Sequence, residues 1–404
     1  MRRVRPALLG ILLPWLLLPQ PALAHAAVLA LDPPPGAVRA EPPTVVRITF
    51  SEPVTPFGRG IDVYSPSGRR VSGTAVASGS ELVDGLGDLG SLPEGTYLVE
   101  WRVVARDTHP SRGSYTFSVG HPGPVPGGLA PATDLGAVAP LGLLLQVLSR
   151  WLHFLGFALA FGTIAFQLLV LREAVPAPRL RRLAYAGIAL LVVAEPIALV
   201  AQAASLGTID SASVADILGS AFGRVLALRL GAALLLWGLF GAVRETRGRG
   251  AWAILALGAA LAGVDGLAGH TIAGVPQVAA YLLTAVHVAA MAAWLGGFAG
   301  LLATVGAAGD RRALLARFGR YAAVSVAFLL LSGALLAVVH LRGPSDLLFS
   351  AYGLTLAIKV AAVAVALVAA WLGLRHRRSG RPEAVALAGV LALAAVLSSL
   401  PPPR

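Results

Sequence analysis

The chain has 404 residues, of which 56% are hydrophobic and only 13% are charged. Its mean hydropathy of +0.76 excludes an ordinary soluble enzyme and predicts that most of the chain lies in a membrane. The net charge of +12 falls in short arginine-rich segments between apolar stretches, which indicates membrane topology and predicts no nucleic-acid partner.

Residues 1–24 predict a secretory signal peptide. Three arginines precede an apolar run, and Ala22-Leu23-Ala24 forms an A-x-A cleavage site. Cleavage there makes His25 the new N-terminus, whose α-amine and imidazole can chelate one metal ion. The site depends on this cleavage position, because processing one residue later would remove His25.

Residues 25–120 contain short alternating apolar runs separated by Pro/Gly turns. This pattern predicts an exported all-β sandwich of Ig-like or cupredoxin-like Greek-key type. Residues 121–141 are rich in Pro, Gly and Ala, lack periodicity and are interpreted as a linker.

A candidate metal site lies near the end of the last predicted strand but one, in Arg106-Asp107-Thr108-His109-Pro110. Residues two apart in a strand share a face, so Asp107 and His109 can present a carboxylate and an imidazole side by side. Together with His25 they supply three nitrogens and one oxygen, a set that suits tetragonal Cu(II). Taken alone, the motif also fits a pair of polar residues that face solvent.

The same segment resembles the CopC family of periplasmic copper-binding proteins. The resemblance rests on His25 and on residues 31–36, 47–54, 92–97, 101–110 and 113–117, in that order. It implies a Cu(II) site at His25, Asp107 and His109. The methionine-rich Cu(I) site of some members has no counterpart, because Met1 and Met291 are the only methionines. A mono-oxygenase with an N-terminal histidine is disfavoured, because Asp107 would occupy the position where oxygen binds.

Eight apolar segments predict an all-α bundle of about eight transmembrane helices within residues 142–400. Each has close to the ~20 residues that a bilayer core requires, and they span residues 142–171, 181–206, 222–243, 251–268, 278–304, 319–341, 352–374 and 383–400. The arginines concentrate in alternate loops, which predicts that both chain ends lie on the outer side.

Several ionisable or metal-binding side chains fall inside these segments, where burial makes them functional candidates. The candidate copper path consists of His153, His270, His287 and Met291, since imidazole and thioether bind copper without burying a fixed charge. Simple packing is the alternative for Met291, and haem ligation is the alternative for the histidines. The predicted helices also carry Glu195, Asp265, Arg229 and Lys359.

The membrane half resembles the CopD family of inner-membrane copper proteins. The most distinctive element is H-x6-W-x-G-G, from His287 to Gly297, and the other matching residues are 149–153, 269–270, 317–320, 331–334 and 351–359. The order of the two halves is similar to a bacterial arrangement for copper import.

The predicted function is non-enzymatic copper homeostasis at the cytoplasmic membrane. A periplasmic domain captures Cu(II), and the membrane domain imports copper. One alternative is a tethered periplasmic copper chaperone or sensor without transport, and another is a haem-containing membrane copper reductase. The predicted partners are copper ions, the lipid membrane, and a periplasmic copper donor or a cuproenzyme acceptor.

Overall fold

The computed structural model describes residues 26–87, 92–105, 109–126, 139–173, 177–207, 210–242, 249–267, 276–341, 343–376 and 381–400. The predicted signal peptide and three predicted site residues, His25, Asp107 and His270, lie outside the described residues. The remaining candidates, His109, His153, His287 and Met291, are all described.

Within the described residues, eight strands form two packed four-stranded sheets, which confirms the predicted all-β sandwich. One sheet has the order β1-β3-β6-β5 and the other β2-β8-β7-β4. Neighbouring strands are antiparallel except for β2 and β8, which are parallel. The strands are β1 Val28–Asp32, β2 Val38–Arg39, β3 Val45–Phe50, β4 Val54–Tyr64, β5 Val76–Ser78, β6 Glu81–Gly85, β7 Gly95–Ala105 and β8 Pro110–Val119.

The core of the sandwich follows from the alternation of apolar residues. Along β3, Val46, Ile48 and Phe50 are buried, whereas Arg47 between them is exposed. Phe50 packs edge-on against Trp101 of β7, with ring centroids 5.2 Å apart and an interplanar angle of 73°. This packing anchors β7, whose far end leads to the candidate metal site.

The rest of the described chain is mainly helical and, besides a short 3₁₀ turn at Val305–Ala307, contains ten helices. They are α1 Pro140–Leu171, α2 Pro178–Leu206, α3 Ser211–Gly219, α4 Ala221–Ala242, α5 Arg249–Leu267, α6 Gln277–Thr304, α7 Arg311–His340, α8 Pro344–Phe349, α9 Ala351–His376 and α10 Arg381–Leu397. Helix α1 includes two π-helical stretches, Ala158–Gly162 and Gln167–Leu171. Both α1 and α2 begin with a proline, which has no backbone N–H to leave unpaired in the first turn.

Seven of these helices are long and apolar enough to span a bilayer, namely α1, α2, α4, α5, α6, α7 and α9. The chain is therefore a multi-pass membrane protein. The eighth predicted segment is also a helix, but α10 has only 17 residues, at the short end of the spanning range. Just beyond α10, the Ser399 hydroxyl accepts a hydrogen bond from Arg150 of α1 at 2.8 Å.

Helices α1 and α6 approach each other closely through small residues. A Cβ at Gly162 would lie 2.0 Å from the Ala292 carbonyl oxygen, and a Cβ at Gly296 would lie 2.0 Å from the Ala158 carbonyl oxygen. Only glycine fits on either side of this crossing, as in other closely packed membrane helices. Because Gly296 belongs to the H-x6-W-x-G-G element, this crossing explains one of its positions.

The sandwich packs directly on the helical region. Phe57 of β4 and Val104 of β7 share a buried apolar cluster with Ala203 and Leu206, at the end of α2, and with Ile217 of α3. The end of β7 is thereby held against the helices.

Candidate functional site

His109 lies between β7 and β8. The strand β7 ends at Ala105, whose N–H donates to the His109 carbonyl oxygen at 2.9 Å. Val104 pairs with Pro110 in the antiparallel ladder, and His109 itself lies just before β8, outside both strands. The placement of the Asp107 carboxylate beside the His109 imidazole stays a prediction. The His109 side chain is buried, with 3% exposure.

The first described residue, Ala26, lies beside the strand that follows His109. Ala26 is fully buried, and the Ser111 hydroxyl donates to its carbonyl oxygen at 3.4 Å. The Ala27 N–H donates to the Ser51 hydroxyl at 3.1 Å, which fixes this segment on the sandwich. Ala26, the residue that follows His25, is thus held beside Ser111, which lies two residues after His109.

On its other side, His109 contacts the helical region. Arg150 Nη2 of α1 lies 2.7 Å from His109 Nε2. The same guanidinium donates through Nη1 to the Ser398 carbonyl oxygen and, at 2.8 Å, to the Ser399 hydroxyl. Arg150 therefore joins the sandwich to α1 and to the end of α10. Arg150 belongs to the matching residues 149–153, and its position about ten residues into an apolar helix marks it as a functional candidate, but its contact with His109 was not predicted from the sequence.

His109 and Arg150 line a cavity of about 1120 Å³ that continues into the helical region. The same cavity is lined by three of the predicted path residues, His153, His287 and Met291. The structure thus brings together every described candidate around one volume. Its other charged or titratable lining residues are Glu195, Arg229, Asp265, His340, Tyr352 and Lys359.

His153 lies between two buried carboxylates. Its Nδ1 is 3.2 Å from Glu195 Oε1, and its Nε2 is 3.1 Å from Asp265 Oδ2. Asp265 also accepts from Arg229, whose Nε and Nη2 lie 2.9 and 2.7 Å from Oδ1. Both ring nitrogens of His153 face carboxylate oxygens, so neither is placed as an axial ligand for haem. The sequence located these residues but not their pairing.

His287 is held differently, by a hydroxyl. Its Nδ1 is 3.0 Å from Ser332 Oγ of α7, and that hydroxyl lies 2.6 Å from the Phe328 carbonyl oxygen. A serine hydroxyl has one proton, which it donates to the carbonyl, so Oγ accepts from His287 Nδ1–H. The lone pair of His287 is then on Nε2. Met291 lies one helical turn along α6 and also lines the cavity.

Among the described residues, no three His, Asp or Glu side chains are grouped so as to hold a metal ion. What the described residues provide is a series of separate donors around one cavity, with His109 in the sandwich and His287 and Met291 in the helices.

Comparisons with known proteins cover both halves of the chain. Residues 28–120 match the CopC domain, and residues 140–278 match the copper resistance protein D-like, N-terminal domain. The chain is 26% identical to the copper transport protein CutJ of Bacillus subtilis, over 96% of this chain and 76% of that protein. It is 36% identical to copper resistance protein C of Pseudomonas syringae pv. tomato, over 24% of this chain and 82% of that protein. The crystal structure of CopC from Methylosinus trichosporium OB3b is 27% identical, with a TM-score of 0.22, and covers 24% of this chain and 95% of that one.

Proposed function

Because the chain belongs to the family of copper proteins that join a CopC domain to a CopD-like membrane domain, we propose that it captures Cu(II) and carries copper inward. In this proposal the sandwich is periplasmic, the helices lie in the cytoplasmic membrane, and the protein is a transporter rather than an enzyme. The observation that carries the proposal is that His109 lines the same cavity as His287 and Met291.

The capture site consists of His25, Asp107 and His109. The contact between Ser111 and Ala26 supports this site. It holds Ala26, which directly follows His25, beside the strand that begins just after His109. Cleavage after Ala24 would expose the His25 amine there. Amine, imidazole and carboxylate donors form a nitrogen-rich set that favours Cu(II) over other divalent ions of the first transition row.

The membrane path runs from His109 along the cavity to His287 and Met291, with His270 as a further candidate. His287 Nε2 carries a lone pair, and the Met291 thioether is a second uncharged donor that lines the same cavity. The position of His153 between carboxylates favours a role in charge balance beside the path, because its nitrogens already have partners.

Copper uptake into proteoliposomes tests this path. We expect His287→Ala to abolish entry, and Ser332→Ala to lower it several-fold, because the hydroxyl orients the imidazole. Ser325→Ala is the matched control, since the Ser325 hydroxyl donates to the Tyr321 carbonyl oxygen of its own helix and does not touch His287. Uptake should be measured as copper retained in sealed vesicles, with protein that begins at His25.

Two outcomes would contradict the proposal. Wild-type uptake no greater than that of empty liposomes would remove transport and leave the tethered chaperone. Full uptake by His287→Ala would leave transport but remove this path.

A further inference from the structure

We propose that Arg150 is a latch between the two domains and that Cu(II) releases it by binding to His109. The inference rests on the proposed function, in that His109 is taken as a copper ligand. It adds a positioning residue, Arg150, and predicts that copper binding loosens the junction of the two domains.

The first step is the direction of the hydrogen bond between these two residues. A guanidinium has five N–H donors and no acceptor, so at 2.7 Å it must donate to His109 Nε2. That nitrogen therefore accepts with its lone pair. A neutral imidazole has one such lone pair, because its other ring nitrogen carries the proton.

The second step is that copper needs the same lone pair. Coordination through Nε2 would displace the guanidinium directly. Coordination through Nδ1 would require the ring proton to move to Nε2, which would then face the Arg150 donors with a donor of its own. Either route breaks the Arg150–His109 hydrogen bond, and the charge of a bound cation would further repel the guanidinium.

The third step concerns the opposite end of the guanidinium. Arg150 also donates to the Ser398 carbonyl oxygen and the Ser399 hydroxyl, just beyond α10. His109, Arg150 and Ser398 all line the same cavity. Loss of the His109 contact removes one link between the guanidinium and the sandwich while its donations to the end of α10 remain, so copper loading loosens the junction of sandwich and helices.

An arginine that only joined the two domains, without competing with copper for His109, would behave differently. Its removal would leave the copper affinity unchanged, or lower it by disordering His109. A latch that competes with copper must instead weaken copper binding, so its removal must strengthen it. The sign of the change in affinity therefore separates the two roles.

The test is the Cu(II) dissociation constant of the processed full-length protein in detergent, measured by competition with a chelator of known affinity. We expect Arg150→Met to lower this constant roughly tenfold, the effect of losing one competing charge-assisted hydrogen bond. Arg150→Lys keeps a cationic donor and should stay near wild type. Arg47→Met, which removes an exposed positive charge elsewhere on the sandwich, controls for net charge and should also stay near wild type.

A second readout needs no variant. Cu(II) should increase amide hydrogen exchange in wild-type peptides that cover the end of α2 and α3, where the sandwich packs on the helices, and Arg150→Met should show high exchange there with or without copper. An unchanged or raised dissociation constant in Arg150→Met, or exchange that does not respond to copper, would overturn the latch. Failure of the proposed capture site is recognised separately: if His109→Ala binds Cu(II) as tightly as wild type does, the capture site fails, and the latch fails with it.

Discussion

At the scale of single residues, the feature with the greatest energetic cost is the buried charge beside the cavity. Asp265 is 5% exposed and is held between Arg229 and His153. Glu195 Oε2 makes no hydrogen bond to the described residues, although it is buried. Fixed charges at this depth persist because each is compensated by a neighbour, and removal of one partner leaves the other uncompensated.

Asp265→Asn should therefore destabilise the protein. The loss is expected to be about 3–5 kcal/mol, because Arg229 would remain buried without its carboxylate. Thermal unfolding of the purified protein in detergent measures it, with Asp216→Asn on the exposed surface of α3 as the matched control. The double variant Asp265→Asn with Arg229→Met should recover part of the loss. An Asp265→Asn protein as stable as the control would contradict this account of the cluster.

At the scale of elements, the crossing of α1 and α6 determines how the cavity is built. A Cβ at Gly296 would meet the Ala158 carbonyl oxygen and, at 2.6 Å, the Gly162 Cα. These are backbone atoms, which cannot rotate away, so the helices would have to separate. Since α6 carries His287 and α1 carries Arg150 and His153, this crossing sets the relative position of these cavity-lining residues.

Gly296→Ala is accordingly expected to lower the free energy of unfolding by about 1–3 kcal/mol through overpacking. Gly238→Ala in α4 is the matched control, because a Cβ there meets nothing within 4 Å. Thermal unfolding of the two variants side by side gives the comparison. Equal stability of the two would show that α1 and α6 are not held at this distance.

At the scale of the whole molecule, residues of the sandwich and of the helices line one cavity. Periodicity alone predicted both parts, because alternation in strands and long apolar runs are local features of the chain. The contacts between residues that are far apart in the sequence were not predictable in this way. Arg150 and His109 are 41 residues apart, and His153 and Asp265 are 112 apart, so only the packing of the folded chain brings them together.

The short α10 illustrates the same limit. Its composition predicted a membrane span, but the helix has only 17 residues. The apolar composition of a segment does not determine the residue at which its helix ends. The contact of Ser399 with Arg150, which also contacts His109, places the end of α10 on the side of the helices where the sandwich packs.

The measurement that most directly tests the central claim is the dependence of copper uptake on external Cu(II) concentration, for wild type, His109→Ala and His121→Ala. His121 is the matched control, because its side chain is 91% exposed on the sandwich. If capture at His109 feeds the cavity, His109→Ala should raise the half-saturating concentration at least tenfold with little change in maximal rate, and His121→Ala should match wild type. Uptake by His109→Ala indistinguishable from wild type at limiting copper would contradict the claim.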